Sequence, residues 1–379
     1  MKINNQGTKN SNMKRIIFFT SSHKIGLTGQ LTEQALCFTK MGEGEFLFIS
    51  GENEQFPGLF KKLEQNVVPH TTITGIDEHA GFSRLVRKFR DVAVQFRPDF
   101  VTVQTNWQLA IAASVRILFG LDYSLVYVIH GYRHNYRFRS VIARFLIGTA
   151  LYIFSDHVIA PCEFLRNKFG FLKEKIKVIF IGEGEALFED HPLPSFSGTQ
   201  RFIFAGMFRP GKNQALLIRV LKQYIDKSGN QDVELYLPGK GELLDDCRAL
   251  ARELGLEDKV FFPGFLNRAE MLALYLRCQF ALAPTNVETF GHCIAEPFVL
   301  GRVVMSRHIG VADDIIRHGE TGFFFDTGRD LLDILLAVLS DPALCVRIAA
   351  NAKQARESFR WEMVCQVHFD LIYNLSVPK

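Results

Sequence analysis

Two glutamates, Glu288 and Glu296, stand eight positions apart in the run Glu-Thr-Phe-Gly-His-Cys-Ile-Ala-Glu. On a continuous helix that spacing separates them by about 80° around the axis and about 12 Å along it. An acid and a base flanking one bond need a closer approach, so the spacing argues against a hydrolytic dyad. The apolar run Phe280–Ala283, closed by Pro284, precedes the motif and reads as a strand. A helical pattern follows it. Glu288 is therefore expected in a loop and Glu296 in a helix, with the amides of Phe290, Gly291, His292, Cys293 and Ile294 around the helix start. A helix N-terminus of this kind binds anions, phosphates above all.

Other strand ends carry related chemistry. Ala205-Gly-Met-Phe-Arg-Pro-Gly-Lys-Asn213 follows an apolar run and places Arg209 and Lys212 in a Gly/Pro loop before a helix. A diphosphate leaving group needs such cations and amides as charge builds on it; a solvated basic loop is the plainer reading. Pro238-Gly-Lys-Gly-Glu242 offers Gly239 and Gly241 where a backbone must approach something closely. Phe262-Pro-Gly-Phe-Leu266 repeats that signal more weakly. His130 closes the run Leu125–Ile129, where it can touch a sugar hydroxyl, move a proton, or simply bond its own turn. Gly26 and Gly29 belong to a loop expected over residues 21–29. Lys24 occupies the place of the first glycine of a dinucleotide fingerprint, which demotes an NAD-dependent enzyme.

The elements that must position these residues are short apolar runs alternating with helical patterns, the signature of parallel sheets wrapped by helices. One series runs from Ile16–Phe19 to Ile176–Phe180, with a helix from Gln30 to Met41 among its members. The Pro- and Ser-rich stretch His191–Gln200 reads as a linker. A second series begins at Arg201 and ends in three helical segments. The sequence thus predicts an α/β chain of two doubly wound, Rossmann-like domains with a cleft between them. Ligands in such sheets sit beyond the carboxyl ends of the strands.

Composition narrows the classes further. A net charge of +4 gives no footprint for nucleic acid, and none is expected as a partner. Seven scattered cysteines without a CxxC spacing favour a reducing compartment, and a cytoplasmic location is expected. Residues 1–12 are polar and read as a disordered leader without a signal-peptide apolar region. Tyr132-Arg-His-Asn-Tyr-Arg-Phe-Arg139 interleaves basic and aromatic residues beside the apolar run Val141–Phe154. Base stacking, a solvated helix start and an anionic membrane surface are its three readings, and the adjacent apolar run favours the membrane. Thirty-five phenylalanines point to aromatic cores.

Taken together, Gly239-Lys-Gly241, Val260-Phe-Phe-Pro-Gly264, the Glu288–Glu296 motif, Gly301-Arg-Val-Val304 and His318-Gly-Glu-Thr-Gly322 resemble, in order and spacing, the retaining glycosyltransferases called family 4. These have the two-domain GT-B fold. The resemblance covers almost the whole chain. It implies an acceptor-binding domain over residues 13–192, joined by a C-terminal helix over about 360–379 that crosses back to it, and a nucleotide-sugar domain over 198–358. It implies transfer of a hexose from a UDP- or GDP-sugar to a hydroxyl acceptor. The basic–aromatic segment and the lack of a spanning apolar run favour a lipid-linked or surface-glycan intermediate as that acceptor, and with no carboxylate cluster in the sequence no metal and no cofactor are expected. A binder without turnover, or a same-fold epimerase or phosphorylase, are the alternatives.

Residue by residue, the resemblance puts Glu288 near the transferred sugar and Phe290, Gly291 and the amides after them on sugar and phosphate. Glu296 would accept from the ribose hydroxyls. Lys212 would neutralise the diphosphate, His130 would stand at the acceptor side, and Gly26 and Gly29 would approach donor phosphate or acceptor. The chain departs from the family pattern at Met207 (usually arginine), Asn213 (glycine), His292 (aliphatic), Ile309 (glycine) and Asp313 (glutamate).

Overall fold

The computed structural model describes residues 13–19, 25–42, 44–50, 65, 68–74, 81–130 and 138–374. The leader over 1–12 and the basic–aromatic run over 132–137 lie outside them.

Two compact units form. The first takes the chain through Ala160, then Phe169–Ile179, and again from Trp361 onward. Its sheet contains β1 (Lys14–Phe19), β2 (Gly44–Ser50), β3 (His70–Thr72), β4 (Phe100–Val103), β5 (Ser124–Val128), β6 (His157–Ala160) and β7 (Ile176–Val178). The order is β3-β2-β1-β4-β5-β6-β7, and every pairing is parallel. β4 is buried at each position, as a strand covered on both faces must be. Phenylalanines fill this core: Phe38 stands edge-on to Phe369 of the terminal helix Trp361–Asn374, with centroids 4.6 Å apart. Such an edge-to-face pair adds about 1 kcal/mol beyond the area it buries. The helix Asn106–Phe119 shows how local chemistry sets an element's ends. Thr105 and Gln108 form a reciprocal capping box at its start, and Gly120 takes the left-handed conformation at its end.

The loop expected around Gly26 and Gly29 is corrected by the structure. Both glycines lie in the first turns of a helix, Ile25–Met41. Each interior glycine costs a helix only about 1 kcal/mol relative to alanine. That is too little to stop a helix whose later turns are buried.

The second unit contains Pro161–Lys168 and Phe180–Arg360. Its strands are β8 (Gln200–Ile203), β9 (Val233–Tyr236), β10 (Val260–Phe261), β11 (Phe280–Ala283), β12 (Val303–Ser306) and β13 (Phe323–Phe324). They run parallel in the order β10-β9-β8-β11-β12-β13. The sequence of strands therefore leaves β8 in two directions, to β9 on one side and to β11 on the other. The gap beyond the carboxyl ends of β8 and β11 is the switch point where such sheets take ligands. The helix Gln214–Ser228 returns from that end of the sheet, burying Leu217, Ile218, Leu221, Tyr224 and Ile225 at helical spacing, and stops at left-handed Gly229.

Candidate functional site

The loops that leave β8, β9, β11 and β12 are tied to one another by their backbones. The Gly206 amide donates to the Pro238 carbonyl at 3.1 Å and the Phe208 amide to that of Lys240 at 2.9 Å. The Asn286 amide donates to the Gly211 carbonyl, and the Val311 amide to that of Phe290, each at 2.7 Å. Two glycines make this closeness possible. A Cβ on Gly239 would sit 2.0 Å from the Gly206 carbonyl oxygen, and one on Gly310 would sit 2.2 Å from that of Phe290. Both also have positive φ, 145° and 57°.

That stitching brings the predicted residues of two neighbouring strands together. Lys212, after β8, is 6% exposed and pairs with the carboxylate of Glu288, after β11. The Cys293 thiol also faces Glu288, at 3.6 Å, and burial pushes that thiol well above its ordinary range. Glu288 lies in a loop, and the helix His292–Val299 opens just beyond it from Gly291 at φ 99°. The first intrahelical bonds are those of the Ile294 and Ala295 amides to the Gly291 carbonyl. The amides of His292 and Cys293 precede those bonds, in the first turn of the helix. A helix start with an ammonium such as that of Lys212 nearby is an arrangement that can hold a phosphate group. Phe290 and Ile294 are buried and the Ile294 amide is already bonded to the Gly291 carbonyl, so the expected binding role of Ile294 is not met by its side chain or its amide.

Glu183 carries no signal in the sequence, yet it is the best-buried acid of this region at 4% exposure. Its amide is anchored to the Phe359 carbonyl at 2.8 Å. Its carboxylate accepts a hydrogen bond from His292 Nδ1 at 2.8 Å. Burial alone would lower the His292 pKa; the charge and hydrogen bond of Glu183, joined by Glu296 and Glu288, override it and carry the imidazole up to about 9. Glu296, one turn along the helix, is pushed up to about 7 by burial and then by Glu183, against the pull of His292. The Tyr275 hydroxyl stands against Glu296, and burial followed by that carboxylate keeps it well above its ordinary pKa. Among the described residues, ligand atoms of Glu183, His292 and Glu296 lie within 4.8 Å of one another. A cation bound through His292 Nδ1 there would compete with the proton that this nitrogen donates to Glu183.

The family departures have local explanations. Asn213 takes the left-handed conformation at φ 59°, where asparagine is the side chain best tolerated after glycine, and donates to the Pro284 carbonyl at 2.9 Å. Ile309 is buried with no left-handed backbone, so only Gly310 of that pair has to be glycine. Asp313 accepts from His308 Nδ1 at 2.7 Å. Met207 is 53% exposed and Arg209 is exposed beside it. Arg302 is fully buried and donates to the carbonyls of Pro192, Cys278 and Leu300, which makes it a structural residue. His130 follows β5 and Gly26 and Gly29 precede β2, so these three belong to the first unit and not to this grouping.

Residues 185–355 match the family model "Glycosyl transferases group 1". An uncharacterized glycosyltransferase of Bacillus subtilis, YqgM, is 28% identical over 57% of this chain and 59% of its own length. A Campylobacter jejuni N-acetylgalactosaminyltransferase, whose name specifies a diphospho-undecaprenol-linked acceptor, is 26% identical over 59% of this chain and 61% of its own length. The chain thus covers about three fifths of these two curated relatives. The structure of HepE from Anabaena in complex with UDP-glucose superposes with a TM-score of 0.74 at 22% identity, over 96% of this chain and all of that one. The fold of two parallel α/β units is GT-B, as the sequence predicts.

Proposed function

We propose that this chain is a retaining glycosyltransferase of the family 4 type, moving a hexose from a UDP- or GDP-sugar to a hydroxyl of a lipid-linked or surface-glycan acceptor. The observation that carries the reading is the meeting of Lys212, Glu288 and the start of helix His292–Val299 beyond the adjacent strands β8 and β11. In this reading the second unit binds the donor and the first unit the acceptor, with His130 on the acceptor side. The diphosphate lies on the amides of His292 and Cys293, and Lys212 exchanges part of its pairing with Glu288 for the phosphate. Glu296 takes the ribose hydroxyls, a task for an acceptor-only carboxylate. Glu288 then faces the sugar, where it orients a hydroxyl.

Glu288 and Glu296 have separate tasks here, and neither acts as a nucleophile. The leaving phosphate oxygen takes the proton of the incoming hydroxyl on the same face of the sugar, and the new bond forms as the old one breaks through an oxocarbenium-like state. Catalysis rests on the cations and amides that hold the charge growing on the diphosphate. The relative with a diphospho-undecaprenol-linked acceptor in its name supports the acceptor class.

We also propose a cytoplasmic enzyme that works at a membrane surface. No helix among the described residues is long and apolar enough to cross a bilayer. The first unit nevertheless exposes Ile117, Leu118 and Phe119 on one helix and Leu146, Tyr152 and Ile153 on Phe138–Phe154, with Lys175 over the Tyr152 ring. Apolar side chains rimmed by basic ones suit an anionic bilayer surface. Neutralising Arg133, Arg137 and Arg139 should then reduce pelleting with anionic vesicles; unchanged pelleting contradicts the membrane reading.

The donor reading is tested by thermal shift with UDP, GDP, ADP and their sugars, since a ligand of the folded state raises its melting temperature. One nucleoside diphosphate series should stabilise the protein, and NMR of the product should show the donor's anomeric configuration retained. An inverted product contradicts the mechanism.

A further inference from the structure

We propose that His292 supplies an imidazolium side chain that shares the donor diphosphate's charge with Lys212, and that Glu183 is the positioning residue that holds it there. The inference rests on the donor site argued above and assigns a task to two side chains that reading leaves idle.

Four observations carry it. The resemblance expects an arginine at position 207, and the chain has an exposed methionine there; the loop's own arginine, Arg209, stands two positions on and is exposed. The resemblance expects an aliphatic residue at position 292, and the chain has a histidine there, at the first position of the helix whose amides face the phosphate. Glu183 is 4% exposed, its backbone is fixed to Phe359, and its carboxylate is bonded to His292. A buried carboxylate without its partner is strongly disfavoured, so this contact is a firm one. The His292 ring itself stays 39% exposed, with the edge of Phe290 against it at 5.3 Å between centroids, so a ligand at the helix start can reach it.

The groups around the imidazole agree on its state. Glu183 comes from the segment after β7, Glu288 from the loop after β11, and Glu296 from the same helix, and all three favour the charged ring. Lys212 is occupied with Glu288, and the Tyr275 hydroxyl stands on the far side of Glu296. His292 also helps keep Glu296 ionised for the ribose, since its charge pulls that carboxyl down. The helix after β11 thus adds to the cations of the loop after β8 one that titrates.

The test is calorimetric titration of the nucleoside diphosphate and monophosphate that the thermal-shift screen selects, from pH 6.5 to 10, on wild type, His292→Leu, Glu183→Gln and Lys212→Ala. Wild type should prefer the diphosphate, and the preference should fall as pH rises through about 9. His292→Leu, which restores the family's aliphatic residue, should lose about tenfold of that preference at pH 7 and show no fall; a tenfold loss is about 1.4 kcal/mol. Glu183→Gln should move the fall to lower pH, because the imidazole loses its carboxylate. A His292→Leu protein with unchanged preference and an unchanged pH profile overturns the proposal, as does a wild-type preference that follows added zinc or EDTA instead of pH. If no nucleotide binds wild type, the donor reading itself fails. If Lys212→Ala loses binding and His292→Leu does not, only the present proposal fails.

Discussion

Two ion pairs flank the start of helix His292–Val299, and they are built differently. Lys212 and Glu288 come from loops after adjacent strands and are both well buried. Glu183 and His292 join a fully sheltered acid to a partly exposed ring that can lose its proton within the working range of an enzyme. The first joins two residues that the sequence motifs single out separately. The second puts a charged contact at the helix end where the resemblance expects an aliphatic residue. The difference shows that one anion site can combine a permanent cation with a titratable one.

Removing the permanent cation should have the largest effect. Lys212→Ala leaves Glu288 without its partner and takes away a charge aimed at the leaving group. Turnover should fall by about 10²- to 10³-fold, the usual loss for one such group, and donor affinity should fall with it; steady-state kinetics on the preferred donor checks both. Next comes the scaffold that both pairs share. Gly310→Ala forces a Cβ to within 2.2 Å of the Phe290 carbonyl at a φ of 57°. It should destabilise the protein by about 1–3 kcal/mol in a urea titration and weaken nucleotide binding by displacing Gly291.

A smaller, pH-linked effect separates the pairs. His292 has a folded-state pKa of about 9, above its ordinary 6.5. The stability it contributes is therefore complete below pH 6.5 and is lost as pH rises through about 9. Glu296, raised from 4.5 to about 7, acts with the same sign at lower pH: its contribution is present below 4.5 and lost as pH rises through about 7. The melting temperature should decline in two steps, and His292→Leu should abolish the upper one. A single decline in both proteins contradicts the charged-ring account. The smallest effect belongs to Asn213→Gly. Asparagine already fits the left-handed position, so thermal unfolding should shift by an amount corresponding to less than about 0.5 kcal/mol.

How much of this could be read from the sequence follows the range of the interactions. Strand and helix alternation is local, and β8 through β13 fall where the apolar runs predict. Glu288 in a loop and Glu296 in a helix follow from Pro284 and from the helical pattern after Phe290. Lys212 is found from a strand-end loop, although its partner lies 76 positions away. Glu183 is not found, because its segment has no periodicity and its partner is 109 positions away. The one available hint was His292, a polar residue where the pattern expects an aliphatic one, which asks for a partner. Gly26 and Gly29 misled for the opposite reason: glycine suggests a loop locally, and helix packing overrides that weak preference.

The most direct test of the central claim is donor consumption by purified wild type and Glu288→Ala, each with a panel of UDP- and GDP-sugars and hydroxyl acceptors. Wild type should transfer the sugar of one donor with retained configuration, and Glu288→Ala should bind the same nucleotide while turnover falls by at least about 10²-fold. A wild-type protein that binds a donor and consumes none across the panel, or a Glu288→Ala protein as active as wild type, would contradict it.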